Sequence, residues 1–190
     1  MAFTQNASAN LIVNGGFEQG IAVGWTSDLV EQTGAPYLNP YEGQYALDLE
    51  GSGTGNLSGY IRQTLDTTPG QKYSLQFAMG GNYWEWTGSS SPVFETKYLE
   101  VLWNGTSLGI FSYNLHQGDT ITNFTWNLHE LIVLGLGHDI LEFRSTTPMY
   151  AGYGAYIDNI TVAAVPEPTV TLLLGLGLMG LAGVRRKIIK

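Results

Sequence analysis

The chain has no cysteine among its 190 residues. Disulfides, thiolate metal sites and a cysteine nucleophile are therefore excluded. Compartment is not, because an exported domain of this size buries a sufficient core without cross-links. Basic side chains are also scarce, eight Lys and Arg against sixteen Asp and Glu. Up to Val165 only four bases stand against fifteen acids, a net charge of −11, and the other four bases lie beyond it. Contact with nucleic acid through phosphates needs clustered Lys and Arg, so nucleic acid is not an expected partner. An acidic surface suits cations or polysaccharide instead. The three histidines, His116, His129 and His138, form no HExxH or close pair, so no zinc motif is present. The first residues do not read as a complete leader either. A signal peptide needs a basic start, an apolar centre and a small-residue cleavage site, and residues 1–9 offer only Ala7-Ser8-Ala9. The expectation is a start upstream of Met1 or a trimmed leader, with the mature chain beginning near Asn10.

Long apolar runs are missing from the body, and the one in the chain stands at its end. Pro166, Glu167 and Pro168 precede sixteen apolar or neutral residues, 169–184, and Arg185, Arg186 and Lys187 follow. A helix over that run is about 24 Å long at 1.5 Å per residue. A bilayer core of roughly 30 Å is thicker, but local thinning and snorkelling basic side chains cover the difference. The expectation is a short C-terminal transmembrane helix with its basic end in the cytoplasm. Gly175, Gly177 and Gly180 spell GxGxxG inside the run. A dinucleotide site needs a strand before that pattern and a βαβ unit around it, for which ten further residues leave no room.

This tail resembles the PEP-CTERM sorting signal of Gram-negative bacteria, on Val165-Pro166-Glu167-Pro168, the apolar run and Arg185-Arg186-Lys187. The resemblance implies recognition by the membrane enzyme exosortase at Pro166, Glu167 and Pro168. It also implies export to the cell envelope or extracellular matrix, among exopolysaccharide, after transient anchoring in the inner membrane. The expected division is a leader remnant at 1–9, a β-sandwich at 10–164 and the sorting signal at 165–190.

The body reads as all-β. Tyr73, Leu75, Phe77 and Met79 alternate with Ser74, Gln76 and Ala78. Leu99, Val101 and Trp103 do the same around Glu100 and Leu102, as do Leu141 and Phe143 around Glu142. A period of two marks strands with one buried face. Pro69-Gly70, Gly80-Gly81, Asn104-Gly105 and the Gly135 to Gly137 stretch break the runs, and Asn104-Gly105 is a hairpin signal. No window keeps a period of 3.6. Eight or more short strands predict a jelly-roll β-sandwich. Trp25, Trp103 and Trp126 are expected in its core. The breaker-rich stretch from Gly80 to Pro92 carries Tyr83, Trp84 and Trp86, and rings on a loop either bind something or fold back over a sheet edge. These three are the candidate ligand-binding residues, with Tyr37 and Tyr41 as further exposed rings.

The body also resembles galactose-binding-like jelly rolls, and within them the choice-of-anchor C domains. The resemblance rests on Asn14-Gly15-Gly16-Phe17-Glu18, Gly24-Trp25, Gly43 to Leu49, Thr68 to Leu75 and Gly154 to Ile160, and spans residues 10–162. It implies carbohydrate binding and one structural calcium where Glu18 and Asp158 meet, tying the first part of the chain to the last. Calcium takes 6–8 hard oxygen ligands, so most would be backbone carbonyls, with Gly15, Gly16 and Gly43 placed to supply them. The plainer reading makes Glu18 a turn cap and Asp158 an ordinary strand-end residue.

Catalysis is not expected. Gly105-Thr106-Ser107-Leu108-Gly109 matches GxSxG, with Asp119 and His129 following in hydrolase order. That elbow must lead into a helix, whereas Ile110-Phe111-Ser112-Tyr113 reads as a strand. Glu85 and Glu95 flank the aromatic stretch as a carboxylate pair, which any acidic chain offers. The expected function is an exported, calcium-stabilised, polysaccharide-binding module. The alternative is a structural or adhesive matrix protein with no defined glycan.

Overall fold

The computed structural model describes residues 9–50, 59–82, 96–116, 119–120, 122–147 and 154–166. They form ten strands: β1 (Thr26–Asp28), β2 (Glu31–Gly34), β3 (Tyr45–Asp48), β4 (Tyr60–Asp66), β5 (Lys72–Gly81), β6 (Thr96–Trp103), β7 (Thr106–Asn114), β8 (Asn127–Leu134), β9 (His138–Ser145) and β10 (Ala155–Ala164). One sheet runs β1-β4-β9-β6-β7 and the other β2-β3-β10-β5-β8. Every pairing is antiparallel. The described residues form an all-β jelly-roll sandwich.

Alternation fixes which residues meet between the sheets. Tyr73, Leu75, Phe77 and Met79 of β5 are buried against Leu99 and Val101 of β6 and Leu141 and Phe143 of β9 in one continuous core. Phe77 lies at its centre, with ring centroids 5.4 Å from Phe111 and 5.2 Å from Phe143, both edge-on. Trp25 and Trp103 are core residues as expected. The hairpin at Asn104-Gly105 forms as expected, with φ of 52° and 75°, the positive pair that a tight two-residue turn requires. The Thr68–Gln71 turn closes with a Gln71 N–H bond to the Thr68 carbonyl, Pro69 and Gly70 standing between them.

Two expectations are corrected. Gly80-Gly81 does not break a strand, because both residues belong to β5 and pair with Tyr156 and Ala155. They are glycines for room. A Cβ on Gly80 would lie 2.5 Å from the Phe124 ring, and one on Gly81 would lie 2.7 Å from the Tyr113 ring. Trp126 is not in the main core. It precedes β8 and packs with Leu38, Ala46, Phe124 and Tyr156 in a second, small cluster. Ser107 lies in β7, so the GxSxG match is hairpin and strand, as expected. His129 does not approach Ser107. It stacks on Phe77 at 5.0 Å and meets Phe111 at 4.7 Å, four residues and roughly 13 Å along β7 from Ser107. Burial lowers the His129 pKa and favours a neutral ring.

The sandwich has two dissimilar ends. At the first end, Gly70 N–H bonds Gly135 O, Thr67 N–H bonds Gly137 O, and the Trp103 indole crosses to Leu134 O in the other sheet. The last strand also finishes there, with Val165 N–H on Lys72 O and the Gln71 side chain on Val165 O. At the second end lie Asp48 to Glu50, Gly81-Asn82, Thr96-Lys97, Asn114 and Ser145 to Thr147.

Candidate functional site

The sequence brings Glu18 and Asp158 to one place. Asn14 shapes the turn that presents Glu18. Its side chain donates to Gly20 O at 2.8 Å and Val23 O at 3.2 Å, and accepts from Gln19 N–H at 3.1 Å. Phe17, held at a φ of 59°, is fully buried beside Trp25. Glu18 then accepts from Gln44 N–H and Tyr45 N–H, both 2.9 Å to Oε1. Gly43, at a φ of 68°, must be glycine, since a Cβ would fall 2.3 Å from that same oxygen. Asp158 reaches the same loop from β10, accepting Glu42 N–H at 3.0 Å and Asn159 N–H at 2.6 Å.

Residues 41–45 are thus clamped by two carboxylates that repel each other. Burial raises the Asp158 pKa to about 6. Backbone N–H groups of Glu42, Asn159 and Tyr41 oppose that rise, and the Glu18 charge adds to it. The pair consists of hard oxygens with excess negative charge, the donor chemistry a calcium ion takes. Among the described residues no third His, Cys, Asp or Glu joins them. Gly15 O is already bonded by Ile160 N–H at 3.0 Å.

A second polar group lies at the second end, and no sequence pattern pointed to it. Asp48, Glu50, Asn82, Lys97, Ser145 and Thr147 are all buried there. Asp48 accepts from Asn82 Nδ2 at 2.7 Å and from Glu50 N–H at 2.9 Å. Glu50 spans the two sheets to accept from Ser145 Oγ at 2.6 Å. Burial lifts Asp48 to about 7, against the hydrogen bonds from Glu50 N–H and Asn82 and with help from the Glu50 charge. Strand register sets Asp48 between Glu31 and Tyr156, and Tyr156 beside Gly80, on the outer face of the sheet. Phe124, Trp126 and Tyr156 crowd that face with centroids 5.2 to 6.4 Å apart, and exposed Tyr41 meets Trp126 edge-on at 6.3 Å. Asp48, Asn82 and Tyr156 are buried beneath this face, and the more open rings of Tyr41 and Trp126 can stack on a pyranose face. Tyr83, Trp84 and Trp86, like Glu85 and Glu95, lie outside the described residues, which stop at Asn82 and resume at Thr96.

At the other end the described chain finishes on exposed Pro166, while Glu167, Pro168, Arg185 and Arg186 lie outside it. Residues 164–187 match the family model described as the PEP-CTERM protein-sorting motif. The tail is a PEP-CTERM sorting signal. It marks an exported chain with a membrane-anchored sorting signal, and it begins where β10 ends.

Among curated proteins none matches the chain. Solved structures match its fold. TmCBM61, solved in complex with beta-1,4-galactotriose, superposes with a TM-score of 0.55 at 20% identity over 83% of this chain and 100% of that one. A cyclase from Fischerella sp. TAU gives 0.55 at 21% identity over 86% and 100%. The enzymatically active domain of Bacteriophage CBA120 tailspike protein 4 gives 0.50 at 19%, over 82% of this chain and 21% of that chain. The body ahead of the PEP-CTERM tail therefore has the jelly roll of carbohydrate-binding modules, a fold that cyclases also use. Function must be argued from its own residues.

Proposed function

We propose that the chain is a non-catalytic surface or matrix module that binds polysaccharide, is stabilised by calcium and is processed by exosortase at its PEP-CTERM tail. The observation that carries the glycan reading is the second end of the sandwich. Its buried acids and amide stand beside a ringed sheet face, and the Tyr83-Trp84-Glu85-Trp86 segment follows directly on Asn82. Hydroxyl-binding groups next to aromatic rings are what a sugar site needs. A glycan array probed with the chain and with Trp84→Ala and Trp86→Ala tests it. Binding to at least one acidic or neutral polysaccharide is expected, falling roughly tenfold or more in each variant, since a stacked ring contributes on the order of 1–3 kcal/mol. Binding that ignores both substitutions would remove this surface from consideration.

Calcium is proposed at Glu18 and Asp158. A divalent cation there would turn the repulsion between the two carboxylates into shared attraction, with remaining ligands from backbone carbonyls and water. It would join the opening turn, the 41–45 loop and β10. Calcium at a hundred times its Kd is expected to add about 2.7 kcal/mol, a rise of roughly 5–10 °C in Tm for a domain of this size. EDTA reverses the rise, and Glu18→Gln with Asp158→Asn abolishes it. A melting temperature indifferent to chelator and calcium would refute the site.

A further inference from the structure

The tail has almost no slack. The sandwich holds Val165 through Lys72 O and the Gln71 side chain, and the apolar run begins at Thr169. Four Cα steps separate the two residues, so they lie at most about 15 Å apart with the chain fully extended. The headgroup layer on each side of a bilayer is itself roughly 5–8 Å deep. A run seated in hydrocarbon therefore draws the first end of the sandwich into, or directly onto, the headgroups.

That end carries a set of exposed apolar side chains. Leu136 on the β8–β9 connection is 64% exposed and Leu134, the last residue of β8, is 49% exposed, with Ile132 of β8 at 57% and Ile140 of β9 at 40% on the outer faces of the two sheets. The connection is firmly built. Asp139 is fully buried and accepts from Leu136 N–H at 2.9 Å, and also from Thr67 Oγ1 and Asn104 Nδ2. The charged groups nearby suit a lipid surface. Exposed Lys72 opposes Leu134 in the ladder, and Asp66 is paired with His138 at 2.7 Å.

We propose that, while the PEP-CTERM tail spans the bilayer, the end of β8 and the β8–β9 connection dock on the lipid headgroup layer through Leu134 and Leu136. The Asp48 end then points away from the membrane, toward whatever the domain binds. The inference rests on the apolar run being a membrane segment, and on nothing about the ligand.

The absence of cysteine makes the test direct. The full chain is prepared as Leu136→Cys and as Asn114→Cys, the latter at the opposite end, and each is labelled with an environment-sensitive fluorophore. Both are reconstituted into phosphatidylcholine–phosphatidylglycerol vesicles and compared with the same chains in detergent. Flotation of the vesicles first establishes that the tail inserts. The label at 136 is then expected to shift blue and to be quenched several-fold more by brominated lipid than the label at 114. Hydrogen exchange of the unlabelled chain supplies the second measurement, with slower exchange expected at Leu136 and Gly137 in vesicles than in detergent. A chain that fails to float overturns the tail reading and the docking with it. A chain that floats with both labels alike, or with the label at 114 buried instead, overturns the docking alone.

Discussion

In calcium-free buffer the domain is expected to become less stable as pH rises from about 4 to about 7. Asp48 has a folded pKa of about 7 and Asp158 of about 6, both above the ordinary 3.8. Between those values the folded chain binds more protons than the unfolded chain, so stability falls with rising pH. For Asp48 the shift corresponds to about 4 kcal/mol, fully in hand below pH 4 and gone above pH 7. That is a fall in Tm on the order of 10 °C. Asp48→Asn copies the neutral acid. It is expected to flatten most of the slope and to raise the Tm at pH 7.5. Urea melts at pH 4.5, 6 and 7.5 on both chains measure the effect, and a stability that rises across this window would refute it. Calcium is expected to shrink the contribution from Asp158 alone, since it would hold that carboxylate charged.

Phe77→Ala is expected to cost about 3–5 kcal/mol, the range for emptying a ring site in a packed core. The ring touches both sheets, meeting Phe111 and Phe143 of the facing sheet and stacking on His129 of its neighbour strand. No single side chain can move to fill the void without leaving its own partner. Phe111 is only partly buried, so Phe111→Ala should cost clearly less. Chemical denaturation of the two variants decides this. Equal losses would mean the core is centred elsewhere.

Strand alternation at Tyr73–Met79, Leu99–Trp103 and Leu141–Phe143 was legible because a half-buried strand writes its inner face into every second residue. The Asn104-Gly105 hairpin was legible because few residue pairs accept two positive φ angles. Gly80 and Gly81 misled, since the local signal for a breaker is the same as that for a strand crossed by rings from elsewhere. Phe124 lies 44 positions from Gly80 and Tyr113 lies 32 from Gly81, and no local pattern carries such partners. The acids at Asp48 and Glu50 were hidden for a similar reason. Their partners Asn82 and Ser145 are 34 and 95 residues away. The meeting of Glu18 with Asp158 across 140 residues came from resemblance, not from spacing.

The strand that carries the tail is a central one. β10 lies between β3 and β5, and its pairing with β5 continues to Ala164, one residue before Val165. Tension on the membrane side therefore runs along β10 and strains the ladders on both flanks in shear, many bonds at a time. An edge strand such as β8 in the same role would be held by one ladder in place of two. The placement of the tail gives the domain mechanical grip while it is held at the membrane.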